Sequence, residues 1–248
     1  LLAAAWCLFQ ALGGDGGVGE ISGAGRLGVL GTIAGGVAEG FKAASVVLDP
    51  TDIVIRTPGV DDVQILDGVV VGGDPGLTFQ ISPAAIEGFA GDVSLEATRD
   101  IRVLESISKV NGSLMLLAGR DIVLGSIMSP LGILANAIDF NAARHIRDFS
   151  FGGAHLKSSV GDIRTTATTG SVKFGTATIA PGRTLYLTQG QSRYFKSGPW
   201  GLVDDSSNAN IVIRVTNGWL ILGGDSGGYS GYQTIGSLDA WASDYLRV

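Results

Sequence analysis

The feature that most constrains this chain is an echo. Gly91-Asp-Val-Ser-Leu-Glu-Ala-Thr-Arg-Asp-Ile-Arg-Val is followed, 21 residues on, by Gly112-Ser-Leu-Met-Leu-Leu-Ala-Gly-Arg-Asp-Ile-Val-Leu. Gly91, Leu95, Ala97, Arg99, Asp100 and Ile101 return as Gly112, Leu116, Ala118, Arg120, Asp121 and Ile122, while Val93 and Val103 return as Leu114 and Leu124. A constant offset of about 20–50 residues marks a solenoid, in which one supersecondary unit stacks on its copy.

One unit can be read directly. Val93, Leu95 and Ala97 alternate with Ser94 and Glu96, the period of two of a strand with one buried face. Thr98-Arg99-Asp100 interrupts with polar residues, and Ile101 and Val103 resume the inward alternation around Arg102. The repeat core is therefore expected to be Val93, Leu95, Ala97, Ile101 and Val103, with Leu114, Leu116, Ala118, Ile122 and Leu124 stacked on them. Stacked coils form parallel sheets with about 4.8 Å between rungs. The expected fold is all-β: a right-handed parallel β-helix of about 20–21 residues per coil, holding about ten to twelve coils if the whole chain conforms.

Composition fits. Glycine supplies 39 of 248 residues without a collagen period, and 45% of residues are apolar, which suits many tight corners rather than disorder. The net charge is −6 with no run of like charges, which argues against a nucleic-acid groove or an anionic membrane surface. The lone Cys7 excludes an internal disulfide framework and a cysteine-rich metal site. The chain opens on Leu, as a processed or excerpted piece would. Leu1 to Leu12 is apolar but too short to span a bilayer, and reads as a first coil or cap rather than the remnant of a signal peptide. No membrane span is expected.

In order, the chain reads as one domain over 1–248. Residues 1–45 are glycine-rich coils or a cap, 46–222 are β-helix with excursions near 56–80 and 189–209, and 223–248 are a tail or cap. Ser82, Pro83 and Gly88 have the grammar of a short helix: cap, first turn and stop. In the tail, Leu238, Trp241 and Tyr245 fall at helical spacing, which predicts a C-terminal capping helix started by Ser237 and covering the last open strand edge.

Three stretches occur in sequence: Leu48-Asp-Pro-Thr-Asp-Ile-Val-Ile, Ile81-Ser-Pro-Ala-Ala-Ile-Glu and Gly91-Asp-Val-Ser-Leu-Glu-Ala-Thr-Arg-Asp-Ile-Arg-Val. Over about residues 46–127 the chain resembles the β-helical passenger of filamentous-haemagglutinin-type exoproteins, the surface adhesins exported by two-partner secretion in Gram-negative bacteria. The resemblance implies an extracellular or outer-surface location. It also implies partners among host or neighbouring-cell glycans and proteins. The family's asparagine-proline-rich secretion motifs are absent, which places such a chain downstream of the secretion domain or on another export route.

Candidate chemistry is thin. Gly224-Asp-Ser-Gly-Gly228 copies a serine-protease nucleophile signature, but a triad needs a serine within reach of a carboxylate-held histidine, and the matches around His145 and His155 are poor. Those histidines lack further ligands at metal spacing and read as solvated corners. Asp61-Asp62 and Asp204-Asp205 are paired acids in expected loops. Tyr194, Phe195 and Trp200 are candidate ligand-stacking aromatics, their plain reading being loop packing. Arg99 over Arg120 and Asp100 over Asp121 would form charge ladders that stabilise corners. No catalytic residue, metal or cofactor is assigned. The leading expectation is a non-enzymatic segment of a secreted adhesin or fibre, serving attachment or self-association. The alternatives are a β-helical polysaccharide lyase or glycoside hydrolase, and a subunit that stacks end to end through its terminal coils into filaments. Nucleic acid is not an expected partner.

Overall fold

In the computed structural model the echo becomes vertical register: Leu114 lies beside Val93, Leu116 beside Leu95 and Ala118 beside Ala97 in parallel strands. The structure describes residues 7–11, 18–22, 33–37, 45–60, 78–195, 209–222 and 235–247. First come β1 (Cys7–Ala11), β2 (Val18–Ser22), β3 (Ile33–Val37) and β4 (Ser45–Asp49). Then follow β5 (Asp52–Ile55), β6 (Thr78–Ile81) and the short helix α1 (Pro83–Gly88). The repeat proper holds β7 (Asp92–Ala97), β8 (Ile101–Val103) and β9 (Ile107–Lys109), then β10 (Leu114–Ala118), β11 (Asp121–Leu124) and β12 (Gly132–Ala135). It continues through β13 (Ile138–Ala142), β14 (His145–Asp148), β15 (His155–Ser158), β16 (Ile163–Ala167) and β17 (Thr176–Thr178). The last strands are β18 (Thr184–Gln189), β19 (Arg193–Phe195), β20 (Ala209–Val215), β21 (Leu220–Leu222), β22 (Ile235–Ala242) and β23 (Leu246–Arg247).

These strands wind as a β-solenoid. The first face is a nine-stranded sheet, β2-β4-β7-β10-β13-β16-β18-β20-β22. The second face is β6-β5-β8-β11-β14, and the third is β9-β12-β15-β17. A three-stranded sheet, β19-β21-β23, and the pair β1-β3 complete the set. Strand pairing throughout is parallel. The coil does not stay at 21 residues. It runs 21 from Val93 to Leu114, 24 to Ile138, 25 to Ile163, 22 to Leu185, 26 to Ile211 and 27 to Leu238. Corners lengthen while strands keep register, so the longest sheet shows nine strands among the described residues where ten to twelve coils were expected.

The interior is built of aliphatic columns. All ten expected core residues are buried, joined higher up by Ile138, Phe140, Ile163, Leu185, Leu187, Ile211 and Ile213 in the same columns. Fully burying one such side chain stabilises by about 1.5–3 kcal/mol. Thr165 interrupts the Leu95–Leu116–Phe140 column but donates its hydroxyl to the Tyr186 carbonyl at 3.2 Å, so that hydroxyl is satisfied. Gly91 recurs as Gly112 because successive coils touch there: a Cβ on Gly112 would collide with the Gly91 carbonyl oxygen.

Helix α1 forms as the sequence indicates. Ser82 Oγ accepts from Ala85 N at 3.2 Å and Pro83 occupies the first turn. The helix packs beside β9, the edge strand of the third face, and Glu87 Oε1 accepts Ser108 N–H at 2.6 Å, so it covers a strand edge that would otherwise pair with another chain.

The predicted C-terminal helix is not there. Ile235–Ala242 is strand β22, paired in parallel with β20 and in register from Ser237 onward after a one-residue shift at its start. Leu238, Ala240 and Ala242 extend the inward columns of Ile211, Ile213 and Val215, while Trp241 points out. Lateral pairing to a finished sheet satisfies backbone groups along the whole strand, which outweighs three residues at helical spacing. The excursions are partly inside the described residues. Residues 193–195 belong to β19, and 78–80 to β6 on the far edge of β5; residues 61–77 and 196–208 lie outside the described residues.

Candidate binding faces

The corner between the first and second faces is held by a staggered ion-pair ladder. Arg99 Nε donates to Asp52 Oδ1 at 2.9 Å, Arg120 Nε to Asp100 Oδ1 at 2.7 Å and Arg144 Nε to Asp121 Oδ1 at 2.8 Å, each with Nη2 on the other carboxylate oxygen. The same Oδ1 atoms accept the backbone N–H of Asp100, Asp121 and His145 at 3.1, 3.2 and 3.1 Å. Each aspartate thus grips the next coil twice, and each arginine reaches back one coil. The Arg120 and Arg144 hydrogen bonds hold Asp100 and Asp121 below the usual carboxylate range. Burial pushes Asp52 the other way, but Arg99 and the Asp100 amide outweigh it.

At the next rung a ring replaces the carboxylate. His145 Nδ1 accepts Ser171 N–H at 3.0 Å, an acceptor role that leaves the ring proton on Nε2 and continues the ladder, and burial followed by Arg147 lowers its pKa. His155 Nε2 sits 2.8 Å from Thr178 Oγ1 on the third face. Both histidines are half-buried strand residues bonded to the coil above, not the solvated corners expected. Among the described residues no three His, Cys, Asp or Glu converge as a metal site.

On the second face the outward column reads Gln80, Val54, Arg102, Val123, Arg147 and, through the Ile146–Val172 bridge, Lys173. Arg102, Arg147 and Lys173 are exposed, and no carboxylate of the described residues pairs with them. The ladder aspartates accept their side-chain hydrogen bonds from the corner arginines. A chain of net charge −6 with no run of like charges thus carries a basic stripe assembled across coils, in which Arg147 also feels the charge of Asp121.

Comparison with protein families, curated proteins and solved structures finds no match.

The first face offers different chemistry. Asp139 faces outward between Met115 and Arg164, half-buried, and burial raises its pKa against the pull of Arg164. Arg164 pairs with Asp162 at 2.8 Å and lies 4.0 Å over the Tyr186 ring. Asp139, Asp162 and Arg164 line a depression of about 270 Å³. On the third face Glu87, Ser108, Leu134, His155 and Lys157 line one of about 290 Å³.

Tyr194 and Phe195 lie in β19, their backbones paired with Ile221 and Leu222, while Trp200 lies outside the described residues. Asp61-Asp62, Asp204-Asp205 and Gly224–Gly228 also lie outside them. Sequence reasoning missed the basic stripe. Its signal was a cation flanked by inward residues: Ile101-Arg-Val, Ile146-Arg-Asp and Val172-Lys-Phe, spread over different coils.

Proposed function

We propose that the chain is a non-enzymatic segment of a secreted bacterial adhesin or surface fibre, attaching through the outside of its solenoid at a Gram-negative cell surface. The observation that carries this reading is the basic stripe of Arg102, Arg147 and Lys173 on the second face. Core columns fill the coil, so binding chemistry has to be displayed on faces, and a rigid sheet holds this display at fixed spacing with little ordering cost. The β-solenoid fold and the resemblance of residues 46–127 to filamentous-haemagglutinin-type passengers support the same reading. The test is attachment of cells to immobilised protein at low and high salt. Attachment above an inert control, weakened by salt and by the triple variant R102Q/R147Q/K173Q, is expected; no attachment at any ionic strength overturns the reading.

One observation favours a second reading, a polysaccharide lyase or glycoside hydrolase. Asp139 holds its proton to higher pH beside Asp162 and Arg164 in an open depression, a donor set suited to general-acid work on a sugar chain. Chain cleavage of polyuronates, abolished by Asp139→Asn, would establish it; no turnover on such polymers removes it.

A further inference from the structure

The corner between the second and third faces carries a protruding apolar tip. Two loops stack there: residues 125–131, joining β11 to β12, and residues 149–154, joining β14 to β15. Ile127, Met128, Phe149 and Phe151 are 75, 84, 49 and 70% exposed. Single exposed apolar residues are ordinary, but four large ones on two adjoining loops are not. Nor are they left out by slack. Phe149 N–H donates to Leu124 O at 2.8 Å, Phe151 N–H to Ser129 O at 3.0 Å, and Ser126 bridges Ser129. Asp148, buried, accepts Ser150 N–H at 2.9 Å and Ala154 N–H at 2.6 Å, and Gly152 and Gly153 take the positive φ that closes the turn. The polar groups of this loop are spent on holding its aromatic residues outward.

The basic stripe adjoins this tip. Arg147 immediately precedes Asp148 and Phe149, with Lys173 one rung above and Arg102 two below, and Lys157 stands on the third-face side. From this juxtaposition we infer that the corner is a docking surface for an anionic lipid bilayer, with Ile127, Met128, Phe149 and Phe151 entering the headgroup–acyl boundary and Arg102, Arg147 and Lys173 meeting acidic headgroups. A linear polyanion would meet the cations but gain nothing from Ile127 and Met128, which have neither a ring to stack nor a donor for an anion. A protein partner would need a preformed pocket for a convex tip, whereas lipid yields around one. The inference rests on the attachment reading for its biological setting and supplies the chemistry of one surface contacted.

The test is flotation of the full chain with vesicles of phosphatidylcholine alone or mixed with phosphatidylglycerol. Binding is expected to the mixed vesicles, to weaken with salt, and to fall about a hundredfold in R102Q/R147Q/K173Q. F149S/F151S should lower it about tenfold or more. In a separate Phe149→Trp variant, the indole emission should shift to shorter wavelength on vesicle addition. No binding at low salt, equal binding to neutral vesicles, or no loss in F149S/F151S each overturns the inference. Cell attachment persisting without vesicle binding sinks the lipid surface alone, while vesicle binding without cell attachment sinks only the attachment reading.

Discussion

Replacing Asp100 with Ala removes one rung of the corner ladder at a single atom cluster. The carboxylate accepts Arg120 Nε at 2.7 Å, Arg120 Nη2, and the backbone N–H of Asp121 at 3.2 Å. Asp121 is buried, so its orphaned N–H costs about 1–3 kcal/mol. The Arg120 side chain is 43% exposed and can rehydrate, so the ion pair itself is worth only about 0–1 kcal/mol. Asp100→Ala should therefore cost about 1–4 kcal/mol. Asp100→Asn keeps an oxygen for the Asp121 N–H but turns an NH₂ toward the guanidinium, and should cost roughly half as much. The assay is urea unfolding followed by far-ultraviolet circular dichroism, with the midpoint shifted at constant slope. An Ala variant within about 0.5 kcal/mol of the parent would refute the reasoning, since surface substitutions without structural consequence fall in that range. An Asn variant as costly as Ala would show that charge, not the backbone acceptor, holds the corner.

Three further outcomes are expected. Gly112→Ala forces a Cβ into the Gly91 carbonyl and should cost about 3 kcal/mol or more by urea unfolding. Gly182→Ala meets only open space at φ +72° and should cost about 1–2 kcal/mol. Lys109 is fully buried, with its ammonium on the Phe89 carbonyl and its pKa lowered by burial; because Gly91 N–H also donates to that carbonyl, Lys109→Met should be neutral or stabilising in thermal melts. Acid titration should separate two classes of carboxyl. Asp52, Asp100 and Asp121 have lowered pKa values, so their stabilisation is complete above the ordinary carboxylate range and is lost as pH falls through their folded values. Asp139 has a raised value, so its folded state is favoured as pH falls; Asp139→Asn should raise the urea midpoint at neutral pH and leave it unchanged in acid.

The aliphatic columns were legible in the sequence because Leu95 and Leu116 announce themselves by parity and by a constant offset. The ladder was half legible. Arg99, Asp100, Arg120 and Asp121 stood out, but the one-coil stagger did not, because its lowest member, Asp52, follows Thr51 rather than an arginine. The tail was misread because Ala240 and Ala242 weigh little as apolar residues, while Trp241 and Tyr245 are large and surface-lying. Arg102, Arg147 and Lys173 are separated by 45 and 26 residues, so only winding brings them together. The environment of Asp139 is likewise assembled from other coils, with Met115 before it and Arg164 after.

Strand β6 follows β5 in the chain yet lies on the side of β5 away from β8. One thread is thus laid beneath work already begun. From β7 onward a polypeptide delivered N-terminus first can wind in order, every new turn templated by the last. The edge of β5 that faces away from β8 is covered by β6, a strand that comes later in the chain. β5 is thus the one strand of this face, among the described residues, whose lower neighbour comes after it in the chain, whereas β8, β11 and β14 each rest on a strand laid down before them.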